Sequence, residues 1–237
     1  GKTPPCVDAV IASRPRRVVV GTIDPNPLVS GRGIAALKRH GIATTVGVLE
    51  QECQRQNEVF FKYIRTGIPF VTLKFALTLD GRIATAAGHS RWISSPPSLR
   101  FAHRLRRTHD AILVGSETVI KDDPELTCRL VRGKNPLRIV ADSHLRTSPD
   151  ACVYDVSRSP TIVAATRTAP EERRRLFERK GIEVLELGED GRGRVDLQGL
   201  LHLLGRRKIA SLLVEGGAGI NTSFLRANLV DRLIAVL

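Results

Sequence analysis

The sequence predicts an α/β protein with mostly buried strands. Three observations carry this. Apolar runs of strand length recur along the chain, amphipathic segments of helix length separate them, and Gly or Pro punctuates the joints. Runs such as "AILVGS" and "TIVAAT" are apolar throughout, which is how strands covered on both faces read.

The elements follow in order. "RRVVVGT" reads as a buried strand, "GRGIAALKRHG" as a short helix closed by Gly41, and "IATTVGV" as another strand. "LEQECQRQNEVFFKYIRTG" makes one long amphipathic helix ending at Gly67. With Pro69 behind it, this helix marks a boundary between a segment 1–67 and a segment 68–237. "PFVTLKFALTLDGRIAT" is a strand, a tight turn at Asp80-Gly81 and a returning strand. "SPPSLRFAHRLRRTHD" opens with Ser-Pro helix-entry chemistry and leads into "AILVGS". "LRIVAD" and "TIVAAT" are further strands. "APEERRRLFERKG" is a helix with its acids early and Gly181 closing it, before the strand "IEVLEL". Residues 188–194 form a flexible loop, and Asp196 caps the helix "DLQGLLHLLGRRK". "ASLLVEGGAGINTSFLRANLV" is a strand, a Gly-rich turn and a helix, and "DRLIAVL" is a core strand.

Composition narrows the function classes. No apolar run approaches the roughly 20 residues needed to cross a bilayer, so no membrane partner is expected. The scattered Cys6, Cys53, Cys128 and Cys152 make no disulfide framework, and a reducing cytoplasm fits them. A net charge of +13 admits nucleic acid or phosphorylated small molecules. With aromatic residues at 4% of the chain, base-stacking platforms are scarce, which favours the small molecules and no nucleic acid.

Chemistry concentrates in three stretches. In "LLVEGGAGINTSFL" a buried strand runs into Gly216, Gly217 and Gly219 and a helix follows at once. Such a turn lets the backbone approach a phosphate at a helix N-terminus, and a tight strand-to-helix turn reads the same way. It is neither G-x-G-x-x-G nor a Walker A loop. Glu215, on its rim, is placed to bond ligand hydroxyls. In "GHSRWISSP" the single Trp92 is either a hydrophobic plug or a flat ring for a heteroaromatic ligand. In "GSETVIKDDPELTCR", Gly115, Ser116, Thr118 and Asp122 follow a buried strand, where α/β proteins place ligands; a surface helix capped by Ser116 accounts for the same letters. His103 and His109 lie in a basic helix and read as surface residues. No metal-binding histidine pair and no G-x-S-x-G elbow is present in the sequence.

In order and spacing, "TLKFALTLDGRIAT", "GHSRWISSP", "GSETVIKDDPELTCR", "LRIVADSHLR" and "LLVEGGAGINTSFL" resemble the reductase half of the bifunctional riboflavin-biosynthesis deaminase/reductase family. "GKTPPC", "RRVVVGTIDPNPLVSGRG" and "GVLEQECQRQNEVFFKYI" resemble the end of its zinc-dependent deaminase half. The resemblance implies the C-terminal part of a cytidine-deaminase-like domain in 1–67 and a dihydrofolate-reductase-like reductase domain in 68–237. It implies NADPH-dependent reduction of 5-amino-6-(5-phosphoribosylamino)uracil to the ribitylamino compound, a phosphorylated pyrimidine substrate and a homo-oligomer.

Carried over by motif, Ala76, Trp92, Thr118, Asp122 and Ser143 line the NADPH site, with Gly217, Ala218, Gly219 and Asn221 around its phosphates. Lys74, Ser90, Arg106, Leu126, Arg129 and Glu215 hold the substrate, the arginines suiting its 5′-phosphate; Leu126 reads equally as core. Cys6 is the last zinc ligand of the deaminase, whose other ligands and catalytic Glu are expected upstream of this chain, so that this chain does not deaminate. Further strands are expected beyond its last residue. Asp24 and Asn26 of "DPNP" are deaminase loop residues or members of a Pro-rich turn. The rival readings are a stand-alone reductase of another pyrimidine or pterin and a basic nucleic-acid-binding protein.

Overall fold

A computed structural model describes residues 5–78, 80–81 and 95–236. The chain divides into two units, Gly1–Gly67 and Ile68–Leu237.

The first unit runs α1 (Cys6–Ala12), β1 (Arg17–Val20), α2 (Arg32–Arg39), β2 (Ala43–Val46), α3 (Glu50–Gln56) and α4 (Glu58–Thr66). β1 and β2 pair in parallel, Arg17 opposite Ala43 and Val20 opposite Val46. β1 is not the buried strand that its letters suggest: Val18 and Val20 are half-buried, while Val19 points outward. Its uniform apolar composition hides a one-sided strand. The single long helix is in fact two, broken at Asn57, whose side-chain amide donates to the Cys53 carbonyl (2.9 Å). An Asn that bonds its own backbone competes with helix propagation. α4 closes as expected on Gly67, at φ 70°, whose N–H donates to the Tyr63 carbonyl (2.8 Å).

The second unit contains β3 (Phe70–Ala76), α5 (Pro96–Thr108), β4 (Ala111–Gly115), α6 (Ser116–Asp122), β5 (Leu137–Ala141), β6 (Thr161–Thr166), α7 (Glu171–Arg179), β7 (Glu183–Leu187), α8 (Leu197–Arg206), β8 (Ser211–Val214), α9 (Ala218–Arg226) and β9 (Arg232–Val236). Its strands form one sheet in the order β7-β6-β5-β4-β8-β3-β9, parallel at every pairing. All carboxyl ends therefore share one edge of the sheet. Because β8 inserts between β3 and β4, the ends of β3, β8, β4 and β5 stand side by side there.

Both faces are covered. Leu113, Ile139 and Val214 pack with Leu200 and Leu204 of α8 and Phe224 of α9. Ile112, Val114, Val140 and Val163 pack on the opposite face with Phe177 of α7 and Tyr154. Consecutive residues of β4 thus serve opposite layers, which is why its sequence is apolar without alternation.

β9, expected as a core strand with further strands beyond it, pairs with β3 at the end of the described sheet, and Leu233 is 50% exposed. Residues 188–194 form a fastened turn, in which the Asp190 carboxylate accepts from the Arg192 and Arg194 amides (2.8 and 2.9 Å) and Glu189 bridges to Val195. The α1 helix was not foreseen, although Val7, Val10 and Ile11 carry helical spacing. The turn before the expected returning strand is present, with Gly81 N–H donating to the Thr78 carbonyl (2.8 Å). The returning strand itself falls at 82–94, outside the described residues.

Asp196 caps α8 as expected, accepting from the Gln198 N–H (3.0 Å). Asp196→Ala is expected to cost about 1 kcal/mol, read as a lower urea midpoint at unchanged slope. Among the described residues no helix is long and apolar enough to cross a membrane.

Candidate functional site

The carboxyl edge of an open α/β sheet, where neighbouring connections diverge, is where such proteins form ligand crevices. Glu215 leaves β8 at this edge, its N–H donating to the Leu113 carbonyl of β4 (3.0 Å). Its carboxylate meets Arg106 of α5 in a fork: Arg106 Nε donates to Oε1 (3.0 Å) and Nη2 to Oε2 (2.8 Å). Both side chains are buried, at 14% exposure for Arg106 and 8% for Glu215. Arg106 Nη1 donates to the Thr127 carbonyl (3.1 Å). The sequence placed Arg106 beside a phosphate; the structure spends these donors on Glu215 and the Thr127 loop.

Burial alone pushes the Glu215 carboxyl up, but the charge and hydrogen bonds of Arg106, with Lys74 and His103 behind them, outweigh it. The net shift is downward, and Glu215 is a carboxylate. Lys74 lies on β3, half-buried, two residues before Ala76 at the strand's end. Lys74, Arg106 and Glu215 are thus gathered into one charged cluster.

His103 and His109 are not surface residues. His103 is 4% exposed, and its Nδ1 accepts from the Leu130 N–H (3.4 Å). Burial, then the charges of Arg106 and Arg129, lower its pKa to about 4, so it is neutral. His109 is half-buried, with Nδ1 donating to the Leu105 carbonyl (2.7 Å) and Nε2 accepting from Thr72 Oγ1 (3.0 Å). The signal for His103 lay in spacing: it precedes Arg106 by one helical turn and shares its face. Together His103 and Arg106 grip the 127–130 segment at two points.

Leu126 is a core side chain, 3% exposed, on a left-handed backbone (φ 53°). Arg129 is exposed and pairs with Glu125 at 3.6 Å. Ser90 and Trp92 lie outside the described residues.

The Gly-rich turn lies beside this cluster. α9 starts at Ala218, and among the described residues no side chain caps it, so the N–H groups of its first turn are unclaimed by a cap. Gly217 N–H donates to Thr118 Oγ1 of α6 (3.1 Å), tying together two stretches that the sequence singled out separately. Gly216 is required by packing: a Cβ there would lie 1.8 Å from Ile220 Cγ2. A Cβ on Gly219 would meet nothing within 4 Å among the described residues, which leave that side of the turn open to a ligand. Asn221 is 7% exposed, and its Oδ1 has no hydrogen-bond partner among the described residues.

On α6, Ser116 is the first helical residue and not the cap, a position that Gly115 occupies as the chain leaves β4. Asp122 ends the helix, exposed. At the end of β5, Ser143 Oγ accepts from the Val195 N–H (3.0 Å) and its carbonyl accepts from Thr166 Oγ1 (2.8 Å). Ala76, the 217–221 turn, Thr118 and Ser143 therefore follow the strand order β3, β8, β4, β5 along one edge.

In the first unit Cys6 opens α1, exposed, and among the described residues no three His, Cys, Asp or Glu side chains converge as metal ligands. Asp24 and Asn26 form successive Asx turns, Asp24 Oδ1 accepting from Asn26 N–H (2.8 Å) and Asn26 Oδ1 from Leu28 N–H (3.0 Å). The cavities of ≈ 530 Å³ (Gln51 to Thr66) and ≈ 480 Å³ (around Cys152 and Arg158) lie on other residues than those of the carboxyl edge.

Comparison with known proteins identifies the family. The riboflavin biosynthesis protein RibD of Aquifex aeolicus is 46% identical over 238 residues, covering 100% of this chain and 65% of the relative. A crystal structure of a diaminohydroxyphosphoribosylaminopyrimidine deaminase/5-amino-6-(5-phosphoribosylamino)uracil reductase from Thermotoga maritima is 37% identical with a TM-score of 0.82, covering 99% of this chain and 63% of that one. Acinetobacter baumannii RibD gives 32% and 0.83, covering 99% and 64%. The chain spans less than two thirds of the length of each. Residues 69–237 match the RibD C-terminal domain, and the chain belongs to that family.

Proposed function

We propose that the unit Ile68–Leu237 is an oxidoreductase of riboflavin biosynthesis: it reduces 5-amino-6-(5-phosphoribosylamino)uracil to the ribitylamino compound with NADPH. The observation that carries this is the buried Arg106–Glu215 fork, with Lys74 nearby, set next to an uncapped Gly-rich turn at the carboxyl edge of a parallel sheet. The Thermotoga relative's name supplies the substrate.

The residues present fit a dinucleotide. Among the described residues, the open side of Gly219 and the uncapped N–H groups at the start of α9 are what a pyrophosphate cradle needs, and Thr118 fixes its rim. NADPH, when bound, supplies the hydride that adds to the ribose C1. Ala76, Trp92, Asp122 and Ser143 are assigned to the NADPH site by their motifs. Glu215 accepts hydrogen bonds from the substrate while Arg106 keeps it ionised and oriented. Lys74 is assigned to the ribose end, and Ser90 and Arg129 to the substrate side by their motifs; Leu126 is buried in the core and touches no ligand. Catalysis is positioning in a charged, partly dry cleft.

We assign the unit Gly1–Gly67 to the end of a deaminase domain, with Cys6 as one zinc ligand. Among the described residues no group of His, Cys, Asp or Glu joins Cys6 to hold a zinc ion, which needs three or four ligands.

The test mixes the purified chain with NADPH and the phosphoribosylaminouracil, follows loss of reduced-nicotinamide absorbance and identifies the product by mass spectrometry. Consumption of NADPH with appearance of the ribitylamino product supports the assignment. A folded chain that binds both ligands and consumes neither sinks it. Reduction of a different pyrimidine or pterin in the same assay replaces the substrate but not the chemistry.

A further inference from the structure

The carboxyl edge has a direction. Lys74 and Ala76 lie on β3, Glu215 and the α9 turn follow β8, Thr118 follows β4, and Ser143 follows β5. With about 4.8 Å between neighbouring strands, the ends of β3 and β5 stand about 14 Å apart. On the reductase reading above, the reacting end of a dinucleotide belongs beside Lys74 and Glu215, and its pyrophosphate at the start of α9. Its adenosine half then falls at the turn that follows β5.

That turn is held from all sides. Asp142 is fully buried, and its Oδ2 accepts from the Thr147 N–H (2.8 Å). Leu145, also fully buried, sits on a left-handed backbone (φ 54°), and its N–H donates to the Asp142 carbonyl (3.1 Å). Arg173 of α7 donates through Nε to the Leu145 carbonyl (2.8 Å) and through Nη2 to the Thr147 carbonyl (2.5 Å). Thr147 Oγ1 meets the Tyr154 hydroxyl at 2.7 Å. Residue 146 is thus carried between two buried, pinned neighbours, and its side chain alone projects.

Arg146 reaches from there to the start of α6. Its Nη2 donates to Ser116 Oγ (3.0 Å) and to Glu117 Oε1 (2.8 Å), and its side chain is 52% exposed. Its Nε and Nη1 donors make no hydrogen bond among the described residues. The guanidinium is therefore oriented, half-open to water, and placed at the adenosine end of the edge. A carboxylate at such a place reads the ribose hydroxyls of an unphosphorylated dinucleotide, and an arginine accommodates the 2′-phosphate. Here the two types are paired, so Arg146 both offers donors to a phosphate and occupies the carboxylate of Glu117.

We propose that Arg146 is the specificity-determining residue that selects NADPH over NADH, by donating to the 2′-phosphate while withholding Glu117 from the ribose hydroxyls. A charge-assisted contact of this kind corresponds to about ten- to hundredfold in affinity.

The experiment measures dissociation constants by calorimetry for NADPH, NADH, 2′,5′-ADP and ADP, on the wild-type chain, Arg146→Ala, Arg146→Lys and Arg146→Ala/Glu117→Ala. The wild type is expected to bind NADPH at least about tenfold tighter than NADH, with 2′,5′-ADP above ADP in the same proportion. Arg146→Ala is expected to weaken NADPH and 2′,5′-ADP by about tenfold or more while holding or improving NADH. Arg146→Lys keeps part of the preference, because it keeps the charge and loses the fork. The double variant loses whatever Arg146→Ala gained for NADH. Arg146→Ala weakening both dinucleotides alike, or leaving their ratio intact, overturns the assignment, as does a wild type without preference. A folded wild type that binds neither dinucleotide overturns the reductase reading itself, and this inference with it.

Discussion

Arg106→Leu is expected to destabilise the second unit by about 3–5 kcal/mol, because it strands a buried carboxylate. Glu215 loses the donors at 3.0 and 2.8 Å, and the Thr127 carbonyl loses its own at 3.1 Å. At 8% exposure the Glu215 carboxylate has little water to replace them. The double variant Arg106→Leu/Glu215→Leu removes both charges and is expected to be more stable than Arg106→Leu alone, the asymmetry that separates a buried pair from a surface one. Urea unfolding of the four proteins of the cycle measures this. A loss of about 0–1 kcal/mol, the range of exposed pairs, would show that the fork is not closed in solution.

The same cluster sets a pH dependence. The folded pKa of Glu215 lies below its ordinary value, so its contribution is complete above the ordinary carboxylate range and is lost as pH falls through the depressed value. His103 acts with the same sign in an earlier window. Its pKa falls from 6.5 to about 4 on folding, chiefly through burial, so between those values the unfolded chain takes up a proton that the folded chain refuses. Stability is therefore expected to decline as pH drops from about 6.5 towards 4, and His103→Leu to flatten that part of the profile.

The doubly covered sheet was legible because burial on both faces leaves an unbroken apolar run, as in β4 and β6. Legible too were the ends of α4, α5 and α8, because Gly67, Ser95 and Asp196 act on residues a few positions away. What sequence could not carry was pairing across long separations. Arg106 and Glu215 stand 109 positions apart, Thr118 and Gly217 stand 99 apart, and nothing local says that the first arginine is spoken for. His103 was misjudged for the same reason: a basic helix reads as solvated until the 127–130 segment is known to close over one face of it. The uniform letters of β1 misled in the opposite direction, since one covered face suffices for Val18 and Val20 and the letters do not say how many there are.

Gly216 and Gly219 stand in one turn and are expected to fail in different ways. Gly216→Ala puts a methyl carbon 1.8 Å from Ile220 Cγ2 and 3.3 Å from both Ile220 Cβ and Asn221 Oδ1. Ile220 is branched at Cβ and cannot swing one methyl aside without moving the helix that carries it. α9 must shift away from the sheet edge, at an expected cost of about 1–3 kcal/mol for overpacking. Dinucleotide affinity falls with it, because the N–H groups of the first turn move with the helix. Gly219→Ala meets no atom of the described residues within 4 Å and replaces a helical glycine, so it is expected to hold or raise stability, by up to about 1 kcal/mol. If a pyrophosphate lies against that open side, the new methyl takes its place, and NADPH affinity falls in a protein that melts no lower than the wild type. Thermal unfolding and dinucleotide titration of the two variants separate the outcomes. Gly219→Ala binding as well as the wild type would remove the phosphate from this turn and leave Gly216 a purely structural residue. Tight folding with lost binding in Gly219→Ala, beside joint loss in Gly216→Ala, means that one glycine keeps the helix close and the other keeps its end clear.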